Sequence, residues 1–68
     1  MFSQEPIPVP DPVKVRDLAE ALDIKPFRLI NELMDLNHFV SLNTDLDFKT
    51  ALAVSSRLGF EIRKAGGT

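Results

Sequence analysis

Prolines stand at positions 6, 8, 10 and 12, and this alternating run constrains the chain more than any other feature of its sequence. Each proline lacks a backbone N–H and pushes the preceding residue towards extended geometry. The run therefore excludes a helix at the start of the chain and disfavours a central strand. We predict an extended, partly polyproline-like leader over residues 1–12, which serves as a stiff tail or linker.

The composition limits what the rest of the chain can be. Its 68 residues suffice for one small domain, and the absence of cysteine together with a single histidine argues against disulfides and metal sites. A net charge of −2 argues against a dedicated nucleic-acid binder. The sequence has no apolar run long enough to span a membrane and no signal-peptide pattern. We therefore expect a cytoplasmic domain without a cofactor.

Apolar spacing predicts two helices in the first half of the chain. Residues 13–15 alternate between apolar and charged, which is typical of a short edge strand, and a first helix follows at about 16–22. Proline suits the first turn of a helix, so Pro26 marks the start of a second one. This second helix should end near Leu36, because Asn37 readily adopts the left-handed conformation that closes helices.

The second half of the chain predicts two further strands around a third helix. Residues 39–42 have the composition of a strand. Asp47 is a natural N-cap for a helix at about 48–58, which Gly59 would end. Alternating residues at 60–62 then predict a closing strand.

The predicted order is strand, helix, helix, strand, helix, strand. We therefore predict a small single α+β domain over residues 13–62, with helices packed on a short three-stranded sheet. Residues 63–68 are predicted to be a linker, because they contain a Gly-Gly pair. The predicted core consists of Val15, Leu18, Leu22, Ile30, Leu33, Val40, Ala51, Val54, Leu58 and Phe60.

A recognisable pattern runs over roughly the same residues as the predicted domain. It is carried by Val15-Arg16-Asp17-Leu18-Ala19-Glu20-Ala21-Leu22, Ile24-Lys25-Pro26, Leu29-Ile30, Leu33-Met34, Asn43, Leu46-Asp47, Ala51 and Leu58-Gly59-Phe60-Glu61. In these residues the chain resembles the N-terminal module of bacterial translation initiation factor two.

The resemblance implies a non-catalytic binding module that docks on the small ribosomal subunit or on another component of the translation machinery. The parent factor is a GTPase that brings initiator tRNA to the small subunit, and its chemistry resides in a separate G domain. This chain lacks the Gly-x-x-x-x-Gly-Lys-[Ser/Thr] phosphate loop, so it is not that domain. We expect no enzyme activity and a monomer, although Phe2 and Phe27 leave weak self-association open.

Two cations depart from the pattern that the chain resembles. Lys25 stands where a Ser or Thr cap is usual, and Arg28 stands where an acidic residue is common. Cations beside a helix N-terminus are disfavoured by about 0.3–1 kcal/mol each. One interpretation is that both cations and free backbone N–H groups bind an RNA phosphate. The alternative, which we favour, is that Asp23, Glu20 or Glu32 neutralises them.

Charge is unevenly distributed along the chain. Residues 1–48 hold four basic and nine acidic groups, a net −5, whereas residues 49–68 hold four basic groups and one acidic group, a net +3. A basic edge formed by Arg57, Arg63 and Lys64 could therefore contact RNA. We favour the alternative that these cations pair with the acidic half of the chain.

Two other classes of function stay open at this point. The short connection between the first two helices permits a helix-turn-helix-like nucleic-acid-binding protein or a regulatory protein–protein adaptor. A protein–protein module whose leader, residues 2–12, docks on a partner is the other possibility.

Metal binding and catalysis find no support in the sequence. Residues 43–47 imitate the start of a calcium loop, but its sixth position is Phe48 rather than glycine and its twelfth is Val54 rather than glutamate. The stretch is therefore predicted to be a turn that leads into the helix cap. His38 has no second histidine or cysteine with which to form a metal site or a nucleophile relay.

Overall fold

Three helices and four short strands make up the part of the chain that the computed structural model describes, residues 6–65. They are β1 (Ile7–Val9), β2 (Val13–Lys14), α1 (Val15–Leu22), α2 (Pro26–Asp35), β3 (Asp45–Leu46), α3 (Phe48–Arg57) and β4 (Ile62–Lys64). β1 pairs in parallel with β4, and β2 pairs antiparallel with β3. The predicted α+β class is confirmed, but two separate strand pairs replace the predicted three-stranded sheet.

Pro8, the one proline inside β1, lies on the outer edge of that strand. The N–H of Ile7 donates to the Glu61 carbonyl at 2.8 Å, and the Val9 carbonyl accepts from the N–H of Ala65 at 2.7 Å. Alternate residues of a parallel strand bond to its neighbour, so the backbone of Pro8 points away from β4. No bond between β1 and β4 therefore needs the N–H that proline lacks, and the outer edge offers no donor there to another strand.

The interpretation of residues 1–12 as a stiff tail is corrected from residue 6 onwards. Val9 is completely buried in the core. Asp11 accepts a hydrogen bond from the N–H of Phe48 at 3.0 Å and lies 3.5 Å from Lys64 Nζ. The segment is thus tied to both α3 and β4. The earlier residues of the predicted leader lie outside the described residues.

The predicted helix ends are confirmed. Asp23 follows α1 with φ 59°, and Asn37 follows α2 with φ 68°, so both adopt the left-handed conformation. Gly59 does the same after α3, with φ 89°. Asp47 caps α3, because its side chain accepts a hydrogen bond from the N–H of Thr50 at 2.8 Å. Short-range signals therefore specify where these helices begin and end.

The strand predicted at residues 39–42 is wrong. Those residues are irregular, and Phe39 is 79% exposed. β3 lies instead in the stretch predicted to be a turn, where Leu46 is buried opposite Val13 of β2. Pairing with a distant segment, rather than local composition, decides the position of this strand.

The other predicted strands shift by one or two residues. Val15 begins α1 instead of ending the first strand. β4 begins at Ile62, because the N–H of Phe60 donates to the Ser55 carbonyl at the end of α3, at 2.9 Å. β4 also takes in the start of the predicted linker, whose glycine pair lies outside the described residues.

One hydrophobic core lies between the helices and the strand pairs. The predicted core residues that are buried are Val15, Leu18, Leu22, Leu33, Ala51 and Val54. Those that are only partly buried are Ile30, Val40, Leu58 and Phe60. The prediction missed the buried residues Val9, Val13, Ala19, Leu29, Leu46 and Ile62. Two of these omissions, Val9 and Leu46, lie on strands that the sequence did not predict.

Candidate nucleic-acid interface

α2 begins with neither a capping side chain nor an acidic residue. Lys25 occupies the N-cap position with extended backbone, φ −73° and ψ 139°, and its side chain makes no cap hydrogen bond. Pro26 follows at the first helical position, where its fixed φ matches the helix and its missing N–H costs nothing. The start of α2 is therefore specified by proline and not by a cap.

Most backbone N–H groups at this end of α2 are occupied. The N–H groups of Arg28 and Leu29 both donate to the Lys25 carbonyl, at 3.0 and 3.4 Å. Pro26 has no N–H. Within residues 6–65, only Phe27 in this first turn keeps an N–H without a backbone partner. The expectation of several free N–H groups is thus corrected, and an anion at this corner would be held by side chains.

The two cations at the start of α2 have no acidic partner in the described part of the chain. Neither Lys25 nor Arg28 forms an ion pair there, and both are exposed. Glu32, one of the acids predicted to neutralise them, is instead 3.1 Å from Arg57. Neither cation therefore makes, within residues 6–65, the direct ion pair that the favoured interpretation expects, and both lie at the start of α2.

Arg57 ties α3 to α2. Its Nε lies 3.1 Å from Glu32 Oε1, and its Nη2 lies 3.8 Å from Asp35 Oδ2. Exposed ion pairs of this kind contribute about 0–1 kcal/mol to stability. Because two carboxylates already face Arg57, its charge is less available to an external anion than those of Lys25 and Arg28.

The other two cations of the predicted basic edge, Lys64 and Arg63, differ in whether they form an ion pair. Lys64 pairs with Asp11 and lies 5.6 Å from the centroid of the Phe48 ring. Arg63 is exposed on β4, and in the described residues its side chain contacts only the Lys64 carbonyl, at 3.5 Å. Pairing with the acidic half is therefore confirmed for Arg57 and Lys64, whereas Arg63 is left without an ion pair.

The buried face of α2 differs from the predicted one. Sequence spacing places Phe27, Ile30, Leu33 and Met34 on one face, which Leu29 and Leu36 widen. In the structure Phe27 is 73% and Met34 43% exposed, whereas Leu29 is completely buried beside Leu33. α2 therefore packs on the core through Leu29 and Leu33, and the apolar side chains of Phe27 and Met34 face solvent.

The cap of α3 carries the clearest electrostatic perturbation. The Thr50 side chain and the Thr50 N–H, which donates to Asp47 Oδ1 at 2.8 Å, lower the pKa of Asp47. Nearby Lys49 and His38 act in the same direction. This shift is explained by helix capping, and it gives Asp47 no role in chemistry.

Residues 6–65 offer little else from which a site could be built. No binding pocket is found among them, and no three of their His, Asp or Glu side chains lie close enough together to hold a metal ion. Ser55 of α3 is completely buried, and its Oγ has no hydrogen-bond partner among the described residues. None of the three helices has the length and apolar character that crossing a bilayer requires.

The chain is similar to a known family of proteins over most of its length. The family described as "Translation initiation factor IF-2, N-terminal region" matches residues 10–61. A protein named translation initiation factor IF-2 from Desulfovibrio desulfuricans is 37% identical over 60 residues, which cover 88% of this chain and 6% of that protein.

Two further relatives bear the same name. The protein from Alkaliphilus metalliredigens is 38% identical over 76% of this chain and 7% of its own length, and the one from Lawsonia intracellularis is 30% identical over 98% and 7%. The chain thus spans only 6–7% of the length of these three relatives. No solved structure matches it.

Proposed function

Because this chain belongs to the family of the translation initiation factor IF-2 N-terminal region, we propose that it is a non-catalytic binding module of the translation machinery. In this proposal the module docks on the small ribosomal subunit in the cytoplasm and contacts ribosomal RNA. It holds no cofactor and performs no reaction. Its contribution is to raise the effective concentration of whatever is attached to it beside the subunit.

The observation that carries the proposal is the uncompensated charge at the start of α2. Lys25 and Arg28 are exposed and lack ion pairs among the described residues, although the chain as a whole has a net charge of −2. Ammonium and guanidinium groups bind phosphate oxygens, and each phosphate neutralised releases condensed counterions. Two cations at one end of a helix, neither ion-paired in the described part of the chain, are therefore suited to a local contact with an RNA backbone.

The scaffold supports such a contact because it holds α2 firmly. Leu29 and Leu33 on its inner side are completely buried, and the Arg57–Glu32 pair links it to α3. Arg28 thus projects from a fixed helix and Lys25 from the N-cap residue directly before it, which lowers the entropy lost on binding. Arg63 on β4 makes no ion pair within residues 6–65, and we include it in the proposed RNA contact.

Binding of the fluorescently labelled chain to purified small subunits over a salt series tests the proposal. The double variant Lys25→Ala/Arg28→Ala should bind more weakly, and the slope of log K against log salt should flatten by about 1.4–1.8, because two phosphate contacts are lost. Equal slopes for the variant and the wild type would count against this surface.

A matched control removes the same amount of charge elsewhere. Lys14 is 3.2 Å from Asp45, and Lys64 is 3.5 Å from Asp11, so both cations are already compensated without involving α2. The variant Lys14→Ala/Lys64→Ala should therefore keep the wild-type salt slope. If both double variants flatten the slope equally, binding responds to net charge and not to the start of α2.

A further inference from the structure

The solvent-facing side of α2 is a self-complementary surface. Its exposed residues are Phe27, Arg28, Asn31, Met34 and Asp35. At about 100° per residue, Phe27 and Met34 fall on one flank of this side and Arg28 and Asp35 on the other, with Asn31 between the flanks. One flank is thus apolar, and the other carries a cation near the start of the helix and an anion near its end.

This charge order opposes the dipole of α2. Acidic side chains favour the first turn of a helix and basic ones the last, but α2 has no acidic residue in its first turn and no basic residue in its last. An antiparallel neighbouring helix would correct both ends at once, because its acidic end would lie beside the Arg28 end of α2. A helix with the same sequence provides that pattern.

We propose that this side of α2 is a contact between two copies of the chain, with their α2 helices antiparallel about a two-fold axis near Asn31. The axis places Phe27 against Met34 of the second copy, and Arg28 against Asp35 of the second copy. Along the helix, the point midway between Phe27 and Met34 lies half a residue before Asn31, and the point midway between Arg28 and Asp35 lies half a residue after it. Each midpoint is therefore within about 1 Å of the axis. Both flanks therefore come into register together.

The side chains are available for these contacts. Phe27 and Met34 are 73% and 43% exposed, and sulfur–aromatic contacts are favourable. The Asp35 side chain is 66% exposed and meets Arg57 only at 3.8 Å, so it has room to accept Arg28 of the second copy. One helix face buries less than the roughly 1,200–2,000 Å² of a stable complex, so the dimer is weak and forms at high concentration.

This inference is independent of the proposed function, but the two share one side chain. Arg28 belongs to the proposed RNA contact and also to the proposed dimer contact. One guanidinium cannot serve both partners at the same time, so bound small subunits should dissociate the dimer. The Phe27–Met34 flank belongs to the dimer contact alone.

Sedimentation equilibrium of the purified chain up to millimolar concentration, with charge reversals, tests the inference. Arg28→Glu alone should raise the dimer dissociation constant by at least about tenfold, because two attractions become repulsions. Asp35→Arg alone should do the same. The double variant Arg28→Glu/Asp35→Arg should return the constant to near the wild-type value, because the antiparallel pairing is then restored with opposite sign.

The two most exposed phenylalanines provide a matched control for the apolar flank. Phe27→Ser should weaken the dimer by at least about tenfold, whereas Phe39→Ser, which removes a ring outside α2 that is 79% exposed, should leave it unchanged. Circular dichroism confirms that each variant is folded before it is compared.

Four results would overturn the inference. The first is a wild-type chain that stays monomeric at millimolar concentration. The second is a dimer lost with Phe39→Ser but kept with Phe27→Ser, and the third is a folded double charge reversal that does not restore association. The last is a wild-type dimer that persists with Phe27→Ser while the same variant weakens binding to small subunits, which would assign this face of α2 to the ribosome.

Discussion

Replacing Val9 with alanine tests whether the proline-rich leader is part of the fold. Val9 lies in β1 and is completely buried. The change removes the equivalent of two methylene groups, about 1.6 kcal/mol of transfer free energy, and the cavity left behind raises the cost to about 2–3 kcal/mol. A domain of this size is stable by only about 3–10 kcal/mol, so the loss is a large fraction of the total.

The assay is thermal and urea unfolding followed by far-ultraviolet circular dichroism, since the chain has neither tryptophan nor tyrosine for fluorescence. We expect Val9→Ala to lower the melting temperature by roughly 10–20 °C, at about 4–8 °C per kcal/mol in a small domain. Val40→Ala removes the same atoms from a partly buried position and should cost less. A Val9→Ala variant as stable as the wild type would show that β1 contributes nothing to the core.

Two further predictions concern α3. Hydrogen bonds from Thr50 lower the folded pKa of Asp47, so the stabilisation from this cap is complete above the ordinary aspartate range and is lost as the pH falls through the lowered value. The melting temperature of the wild type should therefore drop below about pH 4, and Asp47→Asn should reduce that pH dependence in melts recorded from pH 2 to 7. Ser55→Ala removes a buried hydroxyl without a partner and should stabilise the chain by about 1 kcal/mol in the same unfolding assay. A lower melting temperature for Ser55→Ala would mean that its hydroxyl makes a stabilising hydrogen bond.

The helices could be predicted from sequence because their signals lie within a few residues of one another. Pro26 opens α2, Asp47 caps α3, and Asp23, Asn37 and Gly59 take the left-handed conformation that ends each helix. Each of these residues acts through its own backbone or its nearest neighbours. Distant parts of the chain therefore do not alter the prediction.

The strands could not be predicted in the same way. β1 is a strand because it pairs with β4, which lies more than 50 residues further along the chain. A run of alternating prolines gives no sign of that partner. The period of the run is nevertheless compatible with an edge strand, because it leaves Ile7 and Val9 free to bond inwards. β3 is equally dependent on β2, so its position in a turn-like stretch has no local signal.

The candidate site was predicted in part. The sequence identifies Lys25 and Arg28 as unusual at a helix start, but which acid neutralises which base depends on how α2 and α3 pack. Arg57 reaches Glu32 across that interface, 25 residues away in sequence, and so removes the expected partner from the start of α2. The outward position of Phe27 likewise follows from the packing of Leu29 and not from helical spacing alone.

Nuclear magnetic resonance of the ¹⁵N-labelled chain, titrated with purified small ribosomal subunits, tests the central claim most directly. We predict that amide signals broaden first around Lys25 and Arg28 and next around Arg63, and that Lys25→Ala/Arg28→Ala suppresses this broadening. Broadening centred on the ion-paired Arg57 side of α3, or none at all at low salt, would contradict the account.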